Sequence, residues 1–280
     1  MKNVLYGKCV KCGKTYPATP DLTTCTCGGI LDIVYDYDAI RREFTKETLA
    51  ARSERTMWRY RELLPVEETT APTPLRVGWS PLYEEPRLAE QLGLGRLWVK
   101  DDGQNPTASL KDRASAMAVA KAREAGAQVI ACSSTGNAAS SLAGNAAAAG
   151  LETFIFVPSR APKGKVAQLM TFGATVISVE GSYEETFELS KAAIDRWGWY
   201  NRNAAINPYL SEGKKDGGPG NHGAAGLAGA GLHCHFRGRR VHHCGPLEGP
   251  EGPVCHRVYR PPAPADLCPG GGMLSAQPGH

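Results

Sequence analysis

The sequence predicts an α/β domain built as a doubly wound parallel sheet, preceded by a small cysteine-bearing element. Three observations carry this. Apolar strands at about 97–100, 128–132, 153–157 and 175–179 recur at roughly 25-residue spacing, as βαβ units require. Helical segments at about 111–125, 137–149, 163–172 and 182–197 alternate with them. Two loops rich in small and hydroxyl residues fall where a strand hands over to a helix, and open α/β sheets bind ligands beyond the carboxyl ends of their strands.

Taken in order, residues 1–36 hold Cys9-x-x-Cys12 and Cys25-x-Cys27-Gly28-Gly29, with 12 residues between the pairs. Two cysteine knuckles of this kind resemble a zinc ribbon, with the thiolates of Cys9, Cys12, Cys25 and Cys27 at four tetrahedral positions. Such a site is structural, because it leaves no coordination position open for chemistry. Ile30–Tyr35 reads as the strand that closes it. Residues 37–75 form a connector, helical from about Tyr37 to Glu68, with Arg41, Arg42, Glu43, Arg52, Glu54 and Arg55 on solvated faces. Within it, Met57-Trp58-Arg59-Tyr60 reads as packing against a neighbour. Thr73-Pro74 and Ser80-Pro81 mark the loop into the main domain, residues 76–215.

The main domain brings the chemistry. Leu97-Trp98-Val99 leads into Asn105-Pro106-Thr107-Ala108-Ser109-Leu110-Lys111-Asp112-Arg113, which puts Lys111 at the mouth of a helix. The positive end of the helix dipole disfavours a second positive charge, so the lysine is easier to deprotonate and can form a Schiff base with an aldehyde. Ser109, three residues before Asp112, suits the start of that helix. Further on, Cys132-Ser133-Ser134-Thr135-Gly136-Asn137-Ala138 lies between a strand and an alanine-rich helix. Its free backbone N–H groups suit a carboxylate or phosphate, although a helix capped by Ser or Thr has the same sequence. The run 143–149 permits close helix–sheet packing and needs no functional explanation.

Together these segments resemble the pyridoxal-phosphate enzymes of the tryptophan-synthase-β type (fold type II), and among them threonine synthase. The resemblance runs from Met1 to about Lys215. It includes Asp101-Asp102-Gly103-Gln104, the Ser-Ser-Thr-Gly-Asn loop, Asn203–Tyr209 and Glu212-Gly213-Lys214. It implies that Lys111 carries pyridoxal 5'-phosphate and later moves protons at Cα and Cβ of the substrate. It implies that Asn137 hydrogen-bonds the ring hydroxyl oxygen, that Ser133, Ser134 and Thr135 hold substrate oxygens, and that Asn203 helps grip the substrate phosphate. The implied reaction turns O-phosphohomoserine and water into threonine and phosphate. Threonine dehydratase and cysteine synthase share the fold and stay open as rivals, as does a truncated, inactive remnant. The family's glycine loop for the cofactor phosphate and its pyridine-nitrogen contact belong to the second half of the chain, and neither can be assigned in this sequence.

Composition bounds the rest. A net charge of +4 over 280 residues is too small and dispersed for a nucleic-acid partner. No signal peptide is evident and no apolar run approaches the roughly 20 residues of a membrane span, so the expectation is a cytoplasmic protein with a small-molecule substrate. In that compartment cysteines serve as ligands or core residues rather than disulfides. A homo-oligomer is allowed but not indicated. After Lys215 the chain changes character: the first 215 residues contain no histidine, whereas residues 216–280 contain all seven, with 15 of the 32 glycines. With no helix or strand periodicity, this tail reads as disordered. His233, His235, His242, His243 and Cys244 would make a poor metal site, lacking an expected scaffold. An out-of-frame translation fits better: dropping one nucleotide at the Asp216 codon allows an amphipathic helix, a buried strand and a glycine loop. If the tail is real, weak cofactor binding and no useful turnover are expected.

Overall fold

The computed structural model describes residues 1–204 and 206–215, together with the backbone of 233–237 and 240–244. The chain divides into two compact units, Met1–Leu227 and Ala228–His280. In the second, strands His233–Arg237 and Arg240–Cys244 form an antiparallel hairpin, pairing His233 with Cys244 and Arg237 with Arg240. The sequence reading placed no strand there. The apolar alternation of Cys234 and Phe236 is too short to stand out from the surrounding Gly and Pro. The rest of 216–280, and with it the out-of-frame reading, lies outside the described residues, as do the side chains of the histidine cluster.

The first unit opens on a three-stranded antiparallel ribbon, order β2-β1-β3, formed by β1 (Val4–Cys9), β2 (Thr15–Tyr16) and β3 (Leu31–Tyr35). Cys9 faces Leu31 in register, and both are buried beside Cys25.

The connector is not one helix. It breaks into α1 (Tyr37–Glu43), α2 (Lys46–Ala50) and a 3-10 segment, Met57–Leu63. Local hydrogen bonding decides this. Asp36 and Thr45 cap the two helices through their side chains, and Thr45 and Thr48 form a reciprocal capping box. The Arg59 guanidinium then takes the carbonyls of Leu49, Arg52 and Glu54, at and just beyond the end of α2. Met57, Trp58, Arg59 and Tyr60 are all buried, as expected for a packing cluster. Met57 and Trp58 share a core with Ile33 and Tyr35 of the ribbon and with Met117 of the main domain.

The strand before the lysine motif belongs to a different sheet from the one expected. β5 (Trp98–Lys100) pairs antiparallel with β4 (Leu82–Glu84), across α3 (Pro86–Gln91), instead of joining the parallel sheet. An apolar run of three residues carries no information about its partner. The parallel sheet has the order β8-β7-β6-β9, from β6 (Val129–Ser133), β7 (Glu152–Pro158), β8 (Thr175–Val179) and β9 (Tyr200–Asn201). Between these strands run α4 (Lys111–Glu124, before β6), α5 (Asn137–Ala148), α6 (Lys163–Thr171) and α7 (Tyr183–Trp197), within one or two residues of the expected bounds. Short α8 (Tyr209–Glu212) follows β9.

Small residues bring the layers together. Ala114, Ala118 and Ala122 of α4 share the core with Ala139, Ala143 and Ala146 of α5, under Ile130 and Ile155 of the sheet. Gly144 has no room for a side chain, since a Cβ would lie 2.8 Å from the Thr107 methyl. Among the described residues no helix is long and apolar enough to cross a membrane.

Candidate active site

Lys111 and Asn137 are the first residues of α4 and α5. Four residues into each helix, Ser115 Oγ and Ser141 Oγ meet at 2.7 Å, so both helix mouths lie one turn from a common contact. Asn145 of α5 adds a 2.8 Å bond to Asp112 of α4. The two mouths are thereby fixed side by side.

The start of α4 differs in detail from the expected cap. Leu110 occupies the N-cap and no side chain caps the helix; Ser109 Oγ instead accepts the Lys111 N–H at 3.1 Å. Asp112 turns back to accept the Thr107 N–H and hydroxyl at 2.8 and 2.9 Å. Burial pushes the Asp112 carboxyl above its usual range in spite of these bonds. The turn preceding the helix holds Ala108 in a left-handed conformation, φ 55°.

Behind Lys111 lies a network that the sequence alone did not reveal. The buried Arg113 guanidinium forms a two-point contact with Asp102, Nε to Oδ2 at 2.9 Å and Nη2 to Oδ1 at 2.6 Å. Ser80 Oγ donates to Asp102 Oδ1 at 2.5 Å and accepts from Arg113 at 3.1 Å. Burial raises the Asp102 carboxyl, but the hydrogen bond and charge of Arg113 outweigh it and hold the group below its usual range. Asn105 completes the frame by accepting the Gly78 N–H at 2.9 Å. The acid–base pairing of Asp102 with Arg113 was legible only as two charged residues flanking the lysine.

At α5, Gly136 is the N-cap and no side chain caps the helix, which removes the plain Ser/Thr cap reading. Ser134 Oγ accepts the Gly136 N–H at 3.2 Å. Ser133 is buried, and its hydroxyl finds no hydrogen-bond partner among the described residues. Its backbone N–H donates to Asn203 Oδ1 at 2.7 Å, and Asn203 Nδ2 donates to Ser190 Oγ at 3.3 Å. Ser133 and Asn203, two of the residues expected to bind substrate, are therefore in direct contact. Exposed Asn137 accepts from Lys165 Nζ at 3.4 Å, a cation that the sequence reading did not single out. Arg202, beside Asn203, is fully buried and donates to Ser115 Oγ at 3.2 Å. None of these groups lines the surface depression of about 380 Å³ formed by Val157, Lys163, Val166 and Met170.

Residues 73–233 match the family described as pyridoxal-phosphate dependent enzyme. The chain belongs to that family. Among its relatives, threonine synthase of Methanocaldococcus jannaschii is 40% identical over 209 residues, 74% of this chain and 51% of that protein. Threonine synthase of Methanosarcina acetivorans is 39% identical over 210 residues, 74% and 50% respectively. That of Synechocystis sp. is 38% identical over 158 residues, 56% and 41%. The chain thus spans about half the length of the curated relatives it matches. A solved structure of diaminopropionate ammonia lyase from Escherichia coli overlays it with a TM-score of 0.47 at 19% identity, covering 53% of this chain and 45% of that one.

The residues present suit one end of the cofactor. A lysine amine at a helix mouth, as Lys111 is, would suit the aldehyde, and the buried Ser133 hydroxyl beside α5 is without a hydrogen-bond partner among the described residues.

The ribbon holds a second cluster. The sulfurs of Cys9, Cys12, Cys25 and Cys27 all lie within 4.8 Å of one another. The Lys11 and Cys27 N–H groups point at the Cys9 and Cys25 sulfurs, at 3.4 and 3.5 Å. The Cys27 amide, followed by the Tyr16 hydroxyl, lowers the Cys25 thiol to about 6. Cys27 moves the other way: the Gly29 amide lowers it, but neighbouring Cys25 and Cys12 raise it to about 12. Gly29 is required here, since a Cβ would lie 2.6 Å from the Cys9 sulfur.

Proposed function

We propose that this pyridoxal-phosphate enzyme is a threonine synthase, converting O-phosphohomoserine and water into threonine and phosphate. The observation that carries the reading is the 40% identity to a threonine synthase across 74% of this chain. When bound, pyridoxal phosphate supplies an electron sink for the substrate carbons. Lys111 carries the cofactor and, once released, is the base and acid that moves protons at the substrate's Cα and Cβ. Asn137 steadies the ring at its hydroxyl oxygen. Ser133, Ser134 and Thr135 hold substrate oxygens, and Asn203 helps grip the substrate phosphate while bracing the Ser133 amide.

Two finer readings accompany this one. The four cysteines hold a structural zinc ion, and residues 216–280 are an out-of-frame translation, which re-reading the coding DNA across codons 214–220 decides.

The function is tested in two steps. Borohydride reduction after adding pyridoxal phosphate should leave a pyridoxyl label on the peptide containing Lys111. A product with the restored frame should then release phosphate from O-phosphohomoserine. Keto acid formed from threonine, or sulfide taken up, would instead assign one of the rival reactions.

A further inference from the structure

The ribbon is bonded to the stretch of chain that delivers Asn203. Residues 17–24, between the two cysteine pairs, form neither helix nor strand. Two of their carbonyls end on tyrosines from the far end of the unit. Tyr209 Oη donates to the Thr19 carbonyl at 2.6 Å, and Tyr200 Oη donates to the Pro20 carbonyl at 3.0 Å. Both tyrosines are buried, Tyr209 completely. Asn207 ties them together: its Nδ2 donates to Tyr200 Oη at 3.1 Å and to the Asn201 carbonyl at 3.0 Å, while its Oδ1 accepts the Tyr209 N–H at 3.0 Å. Asn201 Oδ1 accepts the Asn203 N–H at 2.9 Å, and Asn203 holds the Ser133 amide. A continuous run of hydrogen bonds, partly exposed at the loop and buried from Asn207 onward, therefore links the inter-knuckle loop to Ser133.

The knuckles themselves are arranged for an ion. Sulfur–sulfur distances are 3.6 Å for Cys9–Cys27 and 3.5 Å for both Cys12–Cys25 and Cys12–Cys27. These are far beyond the roughly 2.0 Å of a disulfide. They approach the edge, about 3.8 Å, of a tetrahedron whose centre lies 2.3 Å from each sulfur, the zinc–thiolate length.

We propose that the four thiolates bind one divalent, thiophilic metal ion and that the ribbon, so fixed, acts through Tyr200 and Tyr209 as the strut positioning Asn203 against Ser133. Tyr200 and Tyr209 are then positioning residues. Metal binding displaces the protons still held by the thiols, and the inter-knuckle loop keeps its carbonyls in place for the tyrosines. The proposal rests on the zinc reading above but on no assumption about the substrate.

Cobalt(II) titrated into the chelator-stripped 280-residue chain should bind at one equivalent with the absorption of a tetrahedral thiolate complex. Hydrogen exchange of the Ser133 amide should then slow by roughly tenfold or more, while the amides of residues 116–122 in the core of α4 do not change. In the metal-loaded chain, Tyr209→Phe and Tyr200→Phe should keep the cobalt spectrum yet return Ser133 towards its metal-free rate. Absence of uptake overturns the proposal at its metal. Uptake with unchanged Ser133 exchange, a uniform change that includes 116–122, or tyrosine variants that exchange like the parent overturns the strut and leaves the metal site standing. No outcome depends on turnover, so the threonine synthase reading stands or falls separately.

Discussion

Asn203 Oδ1 accepts the Ser133 backbone N–H across 2.7 Å, joining segments 70 residues apart in sequence. Both residues are buried, so neither group has water to fall back on. Asn203→Ala should therefore destabilise the protein by about 1–3 kcal/mol, the cost of an orphaned buried donor, read by denaturant unfolding. Unchanged stability would mean that the contact is not made in solution.

Lys111 should be dispensable for folding and indispensable for covalent capture of the cofactor. Lys111→Arg keeps the charge at the α4 mouth but offers no amine that can condense with an aldehyde. The variant should give the parent circular dichroism spectrum and no pyridoxyl label after borohydride reduction. A label on another lysine would displace Lys111 from its assigned role.

Asp102 should make stability depend on acid. Its carboxyl titrates below the ordinary 3.8 in the folded protein, so its contribution is complete above that value and is lost as pH falls through the folded pKa. Removing one member of a mostly buried pair costs roughly 3–5 kcal/mol. The melting-temperature gap between the parent and Asp102→Asn should be wide at neutral pH and narrow below pH 3.8. A gap independent of pH would show that the Arg113 pairing contributes little.

Gly213 should not tolerate a methyl group. A Cβ there would sit 2.8 Å from the Met117 Cβ and closer still to the Arg113 carbonyl oxygen of α4. Gly213→Ala should cost about 1–3 kcal/mol by overpacking, whereas Gly95→Ala, which meets nothing within 4 Å, should cost far less. Equal melting temperatures for the two variants would refute the close approach of the chain after α8 to α4.

How much of this was legible in the sequence varies with distance along the chain. Lys111 and Asn137 could be placed at helix mouths because the strand, the small-residue loop and the helix that position them are contiguous. The connector was misread because Arg and Glu at helical spacing also suit two short helices, and only the folded chain shows Arg59 taking the carbonyls of Leu49, Arg52 and Glu54. The partner of β5 was hidden because three apolar residues suit either sheet. The contacts of Asn203 with Ser133 and of Asp102 with Arg113 were hidden for another reason. Polar side chains signal that they need partners, but a single sequence does not say which ones.

The hydrogen bond from Tyr209 to the Thr19 carbonyl spans 190 residues, and it sets an order of events during synthesis. At about 5–20 residues per second, Tyr209 leaves the ribosome roughly 10–40 s after Thr19. Through that interval the nascent ribbon can pack on Met57 and Trp58, but its inter-knuckle loop lacks the tyrosines that hold its carbonyls. That loop must either wait for the rest of the domain or be secured locally by an ion. The loop between the cysteine pairs is thus made early and anchored late.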